Sequence, residues 1–187
     1  DQPDQSLVMA LAPTEADVCV INYELNNVRS VVAAFERLGK SATVVQTPED
    51  ILAAKRLVLP GVGAVAGGMR ALKEKNLIGP LIEKVAIGTP LLGICLGMQL
   101  LFNTSDEFGM YKGLGVIPGN VVSFPRPESV AVSEYKLPHI GWGSIHPPKK
   151  NEDAWKNTIL AKTKPGEFVY FVHSFYVKAD REEDMIL

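Results

Sequence analysis

Between Val18 and Phe102 the chain alternates short apolar runs with longer stretches in which apolar residues recur every three or four positions. VCVINY (Val18 to Tyr23) predicts a buried strand. Asn26 or Asn27 then caps a helix through Leu38, whose apolar positions Val28, Val31, Val32, Phe35 and Leu38 follow helical spacing before Gly39 ends it. SATVVQ predicts a second strand. Thr47-Pro48-Glu49-Asp50 opens a short helix, with Thr as N-cap, Pro at the first helical position and acids in the first turn. RLVLP (Arg56 to Pro60) is a third strand running into the glycine-rich loop GVGAVAGG. Helical stretches follow around Met69 to Lys75 and Ile78 to Ala86, then a strand in TPLLGIC and a helix in LGMQLLF. Strands and helices alternating at this spacing imply right-handed βαβ units.

After about Gly113 the pattern changes. LGVIPGNVVSFP, KLPHIGWGSI and EFVYFVHSFYV predict three more strands with no long helix between them, and Met185-Ile186-Leu187 reads as the start of another. The expected fold class is α/β: an open, mostly parallel sheet with helices on both faces, extended by mixed or antiparallel strands, with Cys95 at the carboxyl end of a central parallel strand. No internal repeat, heptad pattern or low-complexity tract is present.

A length of 187 residues fits one domain, and 47% apolar with 21% charged residues supplies a sizeable core. A net charge of −2 argues against electrostatic nucleic-acid binding. Two cysteines make no disulfide framework and fit a reduced, cytoplasmic protein. No apolar run is long enough to span a membrane. Residues 1–17 carry no Lys or Arg, unlike a secretory signal, and are expected to be a disordered extension ahead of a domain spanning 18–187. Neither a cofactor nor a metal ion is expected.

The most informative stretch is LLGICLGMQLLF (Leu91 to Phe102), where glycines stand two before and two after Cys95 at a strand-to-helix junction. The pattern mirrors the G-x-S-x-G nucleophile turn, in which a flanking side chain would collide with neighbouring backbone. The sulfur would sit at the carboxyl edge of the sheet and at a helix N-terminus that favours a thiolate. The Leu96 N–H would face the same space as an oxyanion donor. A core cysteine at a glycine-rich turn leaves the same signature, as an ordinary strand-to-helix turn does for PGVG (Pro60 to Gly63), a second candidate oxyanion loop. Cys19, inside VCVIN without glycines, reads as core.

With these motifs the chain resembles the class I glutamine amidotransferases, and among them the glutaminase of imidazole glycerol phosphate synthase. The likeness rests on NVRSV, LPGVGA, GICLGMQLLF, GLGVIPGNVV, PHIGW and YFVHSF. The resemblance implies that Cys95 attacks the glutamine side-chain amide and forms a glutamyl thioester. It implies that Leu96 and a rearranged loop near Val62 form the oxyanion hole, and that Gly63, Gln99, Glu107, Ser174 and Phe175 line the glutamine pocket. A carboxylate at Glu107 suits the substrate's α-ammonium. The implied partner is a (β/α)8-barrel cyclase, fused or separate.

His139 and His173 sit on apolar strands and read as structural histidines; the resemblance puts His173 near the pocket and the cyclase interface. His146 reads as a loop residue, and Tyr170 is assigned to the interface. The family's base is a histidine in a His-Pro-Glu motif, which this chain lacks, so the triad is incomplete. This chain is therefore expected to be inactive in turnover, though its thiol could still be alkylated, and the native protein is expected to continue past Leu187. Gly143 stands where the family usually has Asn. A glutaminase serving another amidation, such as that of a surface amino sugar, remains an alternative, as does a non-catalytic scaffold. An unrelated cysteine hydrolase would not explain PGVG, Gln99 and PHIGW together.

Overall fold

The structure, a computed structural model, describes residues 11–125 and 137–187. Its first sheet is built from β1 (Val18–Ile21), β2 (Ala42–Val45), β3 (Leu57–Gly61) and β4 (Leu91–Cys95), all parallel in the order β2-β1-β3-β4. Helix α1 (Val28–Arg37) links β1 to β2, α2 (Pro48–Ala53) links β2 to β3, and α3 (Val65–Glu74) with α4 (Ile78–Ala86) links β3 to β4. The chain steps out from β1 to β2 and then back across to β3. Right-handed crossovers therefore put α1 on one face and the later helices on the other.

The core divides the same way. Val18, Val20 and Val58 pack against Val28, Val31, Val32 and Phe35 of α1. Cys19, Ile21, Leu57 and Leu59 pack with Ile51, Leu72 and Leu81 on the opposite face. Successive strand residues point to opposite faces, so a strand covered on both sides reads as the unbroken apolar run VCVI. The helix starts are local: Asn27 accepts from the Ser30 N–H, and Thr47 from the Asp50 N–H with Pro48 leading α2.

After the one-turn helix α5 (Leu96–Gln99) come β5 (Phe102–Ser105), β6 (Tyr111–Lys112), β7 (Ile117–Ser123), β8 (His139–Ser144), β9 (Phe168–His173) and β10 (Phe175–Ala179). A mixed sheet runs β10-β7-β5-β6, with β5 parallel to β7 and the other pairs antiparallel. Strands β8 and β9 form a separate antiparallel pair, with His139 opposite His173 and Trp142 opposite Tyr170. Among the described residues no helix is long and apolar enough to cross a membrane.

Several local expectations change. The helix expected over LGMQLLF stops at Gln99, because Phe102 is drawn into β5 by pairing with Ile117 of β7. Helix α3 starts at Val65, inside the stretch read as loop, and Gly68 lets it lie against Leu100. EFVYFVHSFYV is not one strand: it breaks at Ser174 into β9 and β10, which join different sheets. Met185–Leu187 form no strand; the Trp155 indole N–H donates to the Ile186 carbonyl instead. Strand β4 is the outer strand of the parallel sheet rather than a central one, and Leu92 and Ile94 are partly exposed there. Of the expected extension, residues 1–10 lie outside the described residues, while Ala16 is buried and the Asp17 carboxylate accepts from the Ser41 N–H and hydroxyl. Those bonds, the backbone one first, hold the Asp17 carboxyl below its ordinary value.

Candidate active site

The carboxyl ends of β1, β3 and β4 open on one edge of the parallel sheet, the usual location of sites in open α/β folds. Cys95 ends β4 with φ 55° and ψ −117°, a backbone conformation that L-residues rarely adopt. The turn is possible because both flanking positions lack a side chain. A Cβ on Gly93 would stand 2.6 Å from the Met98 Cα, and one on Gly97 would collide with the Leu59 carbonyl oxygen. The result is an exposed Cys95 thiol. Cys19, by contrast, is fully buried, with its Sγ on the Pro13 carbonyl, and burial pushes its thiol up. Because α5 has only four residues, any dipole contribution at Cys95 is small.

Cys95 lines a cleft of about 630 Å³ together with Val62, Gly63, Gln99 and Glu107, and Ser174 and Phe175 close it from the β9–β10 break. Leu96 is buried behind the cysteine. Its N–H is the first of α5 and so lies outside that helix's own ladder. Glu107 is half-buried, and its N–H donates to the hydroxyl of the fully buried Ser105 at 3.2 Å. Burial raises the Glu107 carboxyl above its ordinary value, the Val65 N–H opposes this, and Asp106 adds to it.

The loop after β3 is latched. The Val62 N–H donates to the Leu25 carbonyl at 2.9 Å, so one of the two expected oxyanion donors is engaged by the loop after β1. Glu24, next to Leu25, has φ 81°, and its carboxylate pairs with Lys75 at 2.8 Å. Sequence patterning gives no sign of this latch, because a backbone carbonyl has no side-chain signature. The position of residues 22–27 at the carboxyl end of β1 was the available clue.

The histidines are tied to one another. His173 Nδ1 lies 2.9 Å from the Phe175 carbonyl, which can only accept, so Nδ1 carries the proton. Nε2 is then left to accept from His139 Nδ1, 3.2 Å away. The Phe124 ring stands edge-on to both. His146 Nε2 meets the Ser144 hydroxyl at 3.1 Å. Among the described residues no histidine is hydrogen-bonded to a carboxylate, and no cluster suited to a metal ion occurs. Tyr170 lies outside the cleft, its ring edge-on to Trp142 at 5.5 Å. The Phe171 ring fills the space beside Gly143.

A thiol held on a strained strand-to-helix turn, facing a backbone loop able to supply N–H donors, is the architecture of acyl-transfer enzymes that work through a covalent intermediate. More narrowly, the chain belongs to the class I glutamine amidotransferases, whose family description, "Glutamine amidotransferase class-I", it matches over residues 19–186. It is 42% identical over 167 residues to the imidazole glycerol phosphate synthase subunit HisH of Geobacter metallireducens, covering 89% of this chain and 77% of that protein. To subunit HisH 1 of Legionella pneumophila strain Lens it is 45% identical over 160 residues, covering 86% of this chain and 74% of that one. A crystal structure of a glutamine amidotransferase superposes with a TM-score of 0.61 at 18% identity, covering 88% of this chain and 74% of the other, which shows the shared fold.

Proposed function

We propose that this protein is the glutaminase component of imidazole glycerol phosphate synthase. It hydrolyses glutamine at Cys95 and passes ammonia to a (β/α)8-barrel cyclase in cytoplasmic histidine biosynthesis. The observation that carries this reading is the Cys95 turn opening on a cleft with a carboxylate at Glu107. Cys95 Sγ attacks the side-chain carbonyl carbon of glutamine. The carbonyl becomes a tetrahedral oxyanion facing the Leu96 N–H; the proton lost by the thiol passes to the amide nitrogen, and collapse breaks the C–N bond, expelling ammonia and leaving a glutamyl thioester. Water then attacks the thioester, releasing glutamate and restoring the thiol. Gln99, Gly63, Ser174 and Phe175 hold the substrate, and Glu107 holds its α-ammonium.

Two features support a partner. Ammonia protonates in water, so a synthetic use needs a shielded exit, and the cleft is walled by Val172 and His173 of β9. The same β8–β9 pair exposes Ile140, Trp142, Phe168, Tyr170 and Val172, an apolar surface of the kind that marks an interaction site. The Val62–Leu25 latch adds regulation: with Val62 N–H engaged, the hole has one expected donor. Losing one such donor slows acyl transfer by roughly 10²–10³-fold. Glutamate release by the full-length protein is therefore expected to be slow alone and to rise by about that factor when the cyclase and its phosphoribosyl-formimino acceptor are added. Equal rates with and without the partner would overturn the proposal.

A further inference from the structure

We propose that Tyr23 is a positioning residue: its buried hydroxyl donates to the Gly61 carbonyl when the Gly61–Val62 peptide turns its N–H toward the oxyanion, and so holds the completed hole. The inference rests on the glutaminase reading above and assigns a role to a side chain which that reading leaves unused.

Tyr23 follows β1 and is fully buried. Among the described residues its hydroxyl is the buried side-chain polar atom without a hydrogen-bond partner. Such a group is costly to retain, and phenylalanine would fill nearly the same space without it. The hydroxyl also sits at a particular place. A Cβ on Gly61 would collide with it and would stand 2.9 Å from the Leu96 Cβ and 3.0 Å from the Gly97 nitrogen. The unpartnered oxygen thus lies between the end of β3 and the start of α5, the two segments that carry the oxyanion donors.

Peptide geometry supplies the link. In a trans peptide the N–H and C=O point in opposite directions. The Val62 N–H now points at the Leu25 carbonyl. Rotating that peptide to aim the N–H at the cleft carries the Gly61 carbonyl toward the loop the N–H has left. There it would face the Leu25 carbonyl, acceptor against acceptor, unless a donor is at hand. Tyr23 lies two residues before Leu25, abuts Gly61, and has its proton free. Burial, and then the nearby Cys95 sulfur, push the Tyr23 pKa up, so the hydroxyl remains a donor at neutral pH. Glycine at position 61 serves both states: it leaves room for the hydroxyl and gives the turning peptide a permissive hinge.

The test is Tyr23→Phe in the full-length protein together with its cyclase and the phosphoribosyl-formimino acceptor. Glutamate release is measured over a range of glutamine concentrations with and without the partner, alongside thermal unfolding. The ratio of stimulated to unstimulated kcat should fall by about fivefold, the effect of one neutral hydrogen bond, with KM for glutamine unchanged. Because the hydroxyl makes no bond in the resting state, Tm should stay the same or rise. An unchanged stimulation ratio overturns the inference. So does a ratio lowered only together with a lower Tm and a raised KM, which marks a packing role. A wild-type complex that releases no glutamate would instead overturn the glutaminase reading itself, and this inference with it.

Discussion

Replacing Cys95 with alanine will lower partner-stimulated glutamate release by about 10⁴-fold or more, the scale seen when a covalent nucleophile is removed. No thioester can form without the sulfur. The second cysteine offers no substitute, because Cys19 is fully buried on the far side of β1 from α1 and its Sγ is held by the Pro13 carbonyl. Gln99, Glu107 and Ser174 are untouched by the change, so glutamine binding measured by calorimetry should persist while turnover disappears. Cys19→Ala should leave the rate near wild type. Retained turnover in the Cys95 variant would show that the chemistry belongs elsewhere.

Gly97→Ala should cost about 3 kcal/mol or more of folding stability, among the larger effects of single substitutions. The added Cβ meets the Leu59 carbonyl oxygen, which is backbone and cannot rotate away. Leu59 pairs with Gly93 in the β3–β4 ladder, so moving it disturbs the strand that carries Cys95. Denaturant unfolding gives the value. Gly79→Ala in α4 is the contrast: apart from its chain neighbours its Cβ meets nothing within 4 Å, and although Pro80 disfavours helical backbone for a side-chain-bearing residue before it, the change should cost no more than about 1 kcal/mol. Similar losses at the two positions would mean that the turn is not packed as described.

What was legible beforehand follows the range of the signal. The ends of α1 and α2 lie in neighbouring side chains, so Asn27 and Thr47 announce them. The nucleophile turn is equally local, because the two glycines that make room for it sit beside it in the chain. The length of α5 is not local. LGMQLLF suits helix or strand, and the choice at Phe102 is made by pairing with β7 fifteen residues further on. Nor does EFVYFVHSFYV contain a glycine or proline to mark its break at Ser174; the two halves separate because they find partners in different sheets. The outer position of β4 depends on strand order, which no local pattern encodes.

The site divides in the same manner. Cys95 could be reasoned from the turn, and the PGVG stretch from its glycines as an oxyanion loop; the family resemblance put Val62 at the hole and Gly63 and Gln99 in the pocket. Glu107, Ser174 and Phe175 carry no chemical signature of their own, and only the family resemblance singled them out; they share a cleft because β5, β9 and β10 end near one another. The Leu25 latch and the Tyr23 hydroxyl were invisible, since the first is a backbone carbonyl and the second reads as the apolar end of a strand.

Covalent chemistry at Cys95 is tested most directly by treating the full-length protein with a chloroketone analogue of glutamine and mapping the modified peptide by mass spectrometry. The predicted result is a single adduct on the peptide containing Cys95, suppressed by excess glutamine and absent from Cys95→Ala. An adduct on Cys19, or labelling that glutamine does not protect against, would contradict the assignment of this cleft as the glutaminase site.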